Sequence, residues 1–288
     1  MTASGPATSL RGAWHRPWLF VALGWALLYL PTYVWAARTI WQSEDHAHGA
    51  LVLAVCVWLL WRQRERIATA PVATDPSWGW PLFALGLVCL ITGRAFQISI
   101  LELFSQIPVG AGLLLLLRGR AGLRALWFPL VFLIFMVPLP GVLVDALTAS
   151  LKDGVSSAAA DLLYLAGYPI ARAGVTLSVG PYQLLVADAC SGMNSLVSLS
   201  AIGVLYLYLS ERASVAHNAV MLAAIVPIAL ASNLVRVIAL VLVTYHWGDA
   251  AGQGFLHNAA GLLLMGVALL LLFALDFALA RWLRRAPG

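Results

Sequence analysis

Three residues of the 288-residue chain carry chemistry that belongs together: Cys190, Arg236 and His257. A thiol, an imidazole and a guanidinium are what cysteine acyl transfer needs. The thiolate attacks a carbonyl, the imidazole accepts and later returns a proton, and a fixed cation stabilises the developing oxyanion. Cys190 sits in the run Val186-Ala187-Asp188-Ala189-Cys190-Ser191-Gly192-Met193-Asn194-Ser195-Leu196. It is expected to open a helix, where unpaired N–H groups and the positive dipole end favour a thiolate. On that helix Asn194 and Ser198 fall on the face of Cys190. Asp188 is the carboxylate nearest in sequence and is expected to orient a site group. Ser191 is a rival nucleophile, but it has no partner that Cys190 lacks.

Arg236 lies within an apolar run, where a central arginine costs about 2.5–3.5 kcal/mol on insertion scales. Ser232 and Asn233 share its helical face, so the polar stripe is expected to point toward partners rather than lipid. The alternative is an arginine snorkelling to the headgroups. For His257 it is an ordinary interfacial histidine. Cys56 and Cys89 stand in plain apolar runs and read as small buried residues. Three scattered cysteines make neither a disulfide framework nor a cysteine-based zinc site.

The elements that must position these groups follow from composition. Apolar residues make up 62% of the chain and charged residues 10%, against roughly 45–50% and about 25% in an average soluble domain, which excludes a soluble globular protein. Apolar runs at 17–37, 47–61, 79–96, 104–117, 125–144, 190–210, 215–243 and 258–280 predict an all-α integral membrane protein of about eight transmembrane helices. Residues 1–288 form a single polytopic membrane domain in this reading. The first run spans a bilayer and is followed by others, unlike a cleaved signal peptide.

Most of the 17 bases fall at 11–16, 62–66, 118–124, 212 and 281–285. With the N-terminus inside, all of these lie in cytoplasmic loops, as the positive-inside rule requires. Both termini are then cytoplasmic, and the net charge of +5 reflects topology rather than nucleic-acid binding. Cys190, Arg236 and His257 come to one depth on the outer side, because the sixth and eighth helices start there and the seventh ends there. Residues 145–189, between spans 5 and 6, form an outer-side platform. Leu143, Leu147, Leu151, Val155, Leu162 and Ala166 recur at helical spacing, with Lys152, Asp153, Ser156, Ser157 and Asp161 on the other face, so an amphipathic helix is expected. Val175, Leu177 and Val179, the turn Gly180-Pro181, and then Tyr182, Leu184 and Val186 predict a short β-hairpin.

Other polar residues carry weaker signals. His46 and His48, with Glu44 and Asp45, offer two imidazoles without a clear third ligand, so no metal is expected. His217 and His246 read as lone interfacial residues. Glu102, Asp145, Asp188 and Asp249 lie on the outer side.

These residues resemble the exosortases, within the exosortase/archaeosortase group of membrane transpeptidases. The resemblance covers nearly the whole chain. It rests on Ala189-Cys190-Ser191-Gly192, on Asn233-Leu234-Val235-Arg236-Val237, and on His257 followed by Gly261. His48-Gly49-Ala50-Leu51-Val52 running into Trp61-Arg62, and Val137-Pro138-Leu139-Pro140, support it. The run from Asp188 to Leu196 looks most like the exosortase B branch. The resemblance implies a nucleophile at Cys190, a basic partner at His257 and a cation at Arg236. It implies a thiol protease and transpeptidase of the cell inner membrane, with its site at the periplasmic face and no cofactor. Its substrates would be exported proteins bearing a C-terminal sorting signal: a Pro-Glu-Pro motif, a hydrophobic helix and a basic tail. They would pass to an unidentified acceptor nucleophile, in exopolysaccharide or biofilm-matrix production. The chain ends soon after its eighth expected span, so the extra C-terminal domain of some relatives is expected to be absent.

A rival from another class is a transporter or lipid-linked saccharide carrier, whose intramembrane arginine binds an anionic group. Such proteins usually show internal repeats and midplane polar residues on several helices. The first five expected spans here are almost uncharged within, and no clear repeat is visible.

Overall fold

A bilayer leaves backbone polar groups no water to bond with, so apolar runs of this length must close their hydrogen bonds within helices. The computed structural model describes residues 15–43, 46–69, 71–185, 193–210 and 214–285 and is dominated by helices. Among them, five stretches are long and apolar enough to cross a membrane: Trp18–Gln42, Pro76–Ala95, Ser99–Met136, Val215–Trp247 and Ala260–Trp282. His48–Arg62 and Val197–Ser210 are shorter apolar helices. The chain divides into two compact units, Met1–Pro138 and Leu139–Gly288.

The first unit contains α1 (His15–Arg38), a 3-10 turn (Ile40–Gln42), α2 (His48–Arg62), α3 (Arg64–Thr69), α4 (Pro76–Ala95), α5 (Ser99–Phe104), α6 (Gln106–Phe132) and a second 3-10 turn (Leu133–Met136). The runs expected as spans four and five meet in α6, which breaks at Gly119 (φ 64°, ψ −158°) and again at Leu126. Pro129, whose ring crowds the carbonyl four residues earlier, accounts for the second break. The expected run 125–144 is therefore not one helix. It ends as a helix at Phe132, and Pro138 and Pro140 hold the chain extended before the next helix begins at Gly141.

Helix α4 packs through glycines at heptad spacing. A Cβ on Gly79 would lie 2.8 Å from the Leu116 side chain, one on Gly86 2.6 Å from the Val109 backbone N, and one on Gly93 2.6 Å from the Glu102 backbone N. Lipid offers no hydrophobic drive for helix pairing, so this close approach supplies the packing contact. Polar residues add to it. Glu102 accepts from Thr32 Oγ1 (2.5 Å) and Arg94 Nε (3.1 Å), and Tyr33 donates to Gln106 Oε1 (2.6 Å). His48 Nε2 donates to the Phe135 carbonyl (3.1 Å), tying the start of α2 to the turn before the proline stretch.

The second unit contains α7 (Gly141–Leu165), β1 (Ile170–Ala173), β2 (Thr176–Val179), β3 (Tyr182–Leu185), α8 (Met193–Ser210), α9 (Val215–Trp247), α10 (Asp249–Asn258) and α11 (Ala260–Arg285). The expected hairpin is present as β2 and β3, with Val179 opposite Tyr182 across Gly180-Pro181. An unexpected third strand, β1, pairs antiparallel on the far side of β2, and the order is β1-β2-β3. Gly174 (φ 61°) and Gly180 (φ 54°) supply the left-handed residues of the two tight turns.

Helix α7 is present where an amphipathic helix was expected. Val155, Ser156, Ala159 and Leu163 are buried, whereas Leu162 is 48% exposed. Ser156, assigned to the polar face, is accommodated because its hydroxyl donates to the Lys152 carbonyl (2.8 Å). That stripe, the inner face of the sheet (Leu177, Val179, Leu184) and one side of α9 (Val237, Leu240, Val241) form one core. A second core joins Leu199 of α8, Met221, Ile228 and Ala229 of α9, and Ala268 and Leu272 of α11.

Candidate active site

Helix α9 is 33 residues long, roughly 50 Å at 1.5 Å per residue, and one buried stripe runs its whole length. Met221, Ile225, Ile228, Ser232, Arg236, Leu240 and Thr244 recur every three or four residues on that stripe. Arg236 is 7% exposed. The snorkelling alternative is thereby removed, because the guanidinium faces the protein. Asn233 is half-buried one turn away. Ser232 is buried too, but its hydroxyl donates to the Ile228 carbonyl of its own helix (2.8 Å) and is committed there.

Arg236 adjoins the first of the two cores of this unit. Val237, the next residue, belongs to a packed cluster that includes Leu184 of β3, and Phe255 of α10 packs against the same cluster. Leu184 lies six residues before Cys190 and Phe255 two residues before His257. Strand β3, which precedes position 190 in sequence, and α10, which carries position 257, thus both pack against the cluster that contains the neighbour of Arg236. Cys190, Asp188 and Ser191 lie outside the described residues. Asn194 and His257 are described through their backbones alone, in α8 and α10.

Position 257 differs from expectation in one respect. It does not open the eighth span but belongs to the last turn of α10, and α11 begins at Ala260. The cause is Gly248 (φ 88°), which ends α9 and reverses the chain. Helix α10 then returns against α9, so closely that a Cβ on Gly252 would collide with Thr244 Oγ1. Neither Thr244 nor Gly252 was singled out from the sequence. The usable signal was a buried-type threonine two turns beyond Arg236, followed by Gly248 and Gly252.

Other residues also differ from expectation. His217, read as a lone interfacial histidine, is 3% exposed, and its Nε2 lies 2.7 Å from Asp276 Oδ1 of α11. It stands 19 residues before Arg236 on α9, roughly 28 Å along the axis, and is not part of this site. His246 is exposed but has a partner, with Nε2 3.2 Å from the Tyr168 hydroxyl. Tyr168 also packs edge-on against Tyr245, joining the end of α7 to the end of α9. Cys56 is buried, with its thiol 3.4 Å from the Pro129 carbonyl, and Cys89 is half-buried. Glu44 and Asp45 lie outside the described residues, and His48 Nε2 is bonded to the Phe135 carbonyl.

The comparisons agree with this architecture. The family model described as transmembrane exosortase (EpsH) matches residues 40–274, a stretch that includes positions 190, 236 and 257. The match assigns a family and not a branch of it. No curated protein and no solved structure matches the chain.

Proposed function

The chain belongs to the transmembrane exosortase family, whose members are membrane transpeptidases, and we propose that it is a cysteine transpeptidase acting on exported proteins at the outer face of the inner membrane. The substrates are proteins with a C-terminal sorting signal of the Pro-Glu-Pro type, and the product serves exopolysaccharide or biofilm-matrix assembly. The run from Asp188 to Leu196 favours the B branch.

Cys190 is the nucleophile. Its thiolate attacks the peptide carbonyl near the sorting motif and forms a C–S bond, and the carbonyl electrons move onto oxygen. Arg236 holds that oxyanion. As the C–N bond breaks, His257 delivers a proton to the departing amine and a thioester remains. The acceptor nucleophile gives its proton to His257, attacks the thioester and releases Cys190. Water in its place gives hydrolysis. Asp188 orients the site, Asn194 and Asn233 line it, and Ser191 is the neighbour of the nucleophile. The chemistry calls for no metal or cofactor.

The observation that supports this reading best is the convergence of Leu184, Val237 and Phe255, the neighbours of the three proposed groups, on one cluster. The deciding experiment is mass spectrometry of the new C-terminus of a co-expressed exported reporter carrying such a signal. A C-terminus joined to an acceptor is expected, and Cys190→Ser should abolish it. A reporter left intact by the wild-type chain, or processed equally by Cys190→Ser, would sink the proposal. Equal processing is what a transporter, indifferent to the thiol, would permit.

A further inference from the structure

We propose that the outer edge of β3 is a docking strand, on which an extended segment of the substrate polypeptide pairs as a fourth strand of the sheet. This inference rests on the transpeptidase reading for the identity of the substrate, but its geometry comes from the sheet alone.

Among the described residues β3 pairs with β2 only, and the sheet order leaves it at an edge. A two-residue turn closes the hairpin at Val179 and Tyr182. Antiparallel pairing alternates, so Tyr182 and Leu184 direct their N–H and C=O groups at β2, and Gln183 and Leu185 direct theirs away from it. The same alternation puts Leu184 into the core and leaves Gln183 and Leu185 exposed on the opposite face. That face carries Ala171, Ser178 and Gln183 in one row and Ala173, Thr176 and Leu185 in the next.

An exposed edge is normally blunted by charge, proline or a bulge, because it templates pairing with any extended chain. Tyr182-Gln183-Leu184-Leu185 has none of these. The other edge is managed differently. Strand β1 packs along α7, and its Arg172 is tied to Asp153 of that helix (2.7 Å). The open edge is also the one joined to the proposed chemistry, since β3 runs on toward Cys190 and Leu184 shares a cluster with Val237 beside Arg236. Edge addition binds through main-chain hydrogen bonds and needs an extended ligand. A Pro-x-Pro segment meets that need, because prolines at alternate positions place both ring nitrogens on the side away from β3. The residue between them then supplies the N–H and C=O that pair.

Recognition through the main chain predicts that side chain and backbone at position 183 separate. Gln183→Ala should leave KM unchanged. Gln183→Pro removes the outward N–H and leaves the β2 pairing intact, so it should raise KM about tenfold, with kcat and the rate of Cys190 alkylation by iodoacetamide unchanged. Because the proline variant could fail to fold, a binding measurement accompanies it. Hydrogen exchange is followed on the full-length Cys190→Ala chain in lipid nanodiscs, with a synthetic peptide copying the extramembrane part of a Pro-Glu-Pro signal. Protection of the Gln183 and Leu185 amides is expected, with that of Leu184 unchanged. Processing by the wild type without such protection, or a folded Gln183→Pro enzyme with unchanged KM, overturns the docking strand and leaves the proposed function standing. Protection without processing by the wild type overturns the proposed function and leaves the docking strand standing. Absence of both overturns both.

Discussion

Gly252 of α10 lies against Thr244 of α9 so closely that no Cβ fits at position 252. The contact closes the hairpin that Gly248 begins, and it fixes α10, the helix that carries His257, against α9. Gly252→Ala is expected to push α10 outward, at a cost of about 1–3 kcal/mol typical of overpacking, and to lower kcat more than membrane abundance. Removing the obstructing hydroxyl in Gly252→Ala/Thr244→Ala should recover most of the loss. Processing rates and thermal unfolding in detergent, read as a double-mutant cycle, test this. Additive effects would mean the two residues do not share a contact that matters.

Arg236→Lys should insert at normal abundance and process substrate poorly. The ammonium keeps the charge but loses the planar fork and reach of guanidinium. Loss of an oxyanion donor commonly costs about 10²- to 10³-fold in rate. Reporter processing at equal membrane abundance is the measurement, and near-normal activity would reduce the requirement to a generic positive charge.

His257→Ala should depend on pH in a way that separates two roles. An ordinary imidazole titrates near pH 6.5 and an ordinary thiol near about 8.5, so raising the pH toward 9 forms thiolate without help. Alkylation of Cys190 in the mutant is expected to recover over that range. Cleavage should stay depressed, because no general acid replaces the imidazole at the leaving amine. Wild-type cleavage by the mutant at neutral pH would remove His257 from the mechanism.

His217 and Asp276, 2.7 Å apart and both nearly inaccessible, should behave as a unit. Removing either partner leaves a buried polar group uncompensated, at a cost of about 3–5 kcal/mol where a charge is stranded. His217→Leu and Asp276→Leu are each expected to lower the unfolding temperature markedly, and the double variant should be more stable than either single one. Thermal unfolding of the three proteins checks this, and a double variant worse than both would refute the coupling.

What the amino-acid order determined by itself is what local periodicity and residue chemistry report. Most of the expected apolar runs fall in helices among the described residues, because a backbone in lipid has few other ways to bond, although the run 125–144 is broken. The hairpin at Gly180-Pro181 was legible from alternation and a turn pair, and the inward aim of Arg236 from the cost of any other direction. Tertiary structure decided the rest. An apolar face in a membrane protein can meet protein or lipid equally well, so the sequence could not say that Val155, Ser156 and Ala159 rather than Leu162 would face the core of the second unit. Strand β1 needed β2 beside it, and the seam of Gly79, Gly86 and Gly93 needed the facing residues of α5 and α6. The His217–Asp276 pair joins positions 59 residues apart. The reversal at Gly248 moved His257 from the head of one helix to the end of another. Each of these depends on contacts between segments distant in the chain, to which a pattern read along one segment is blind.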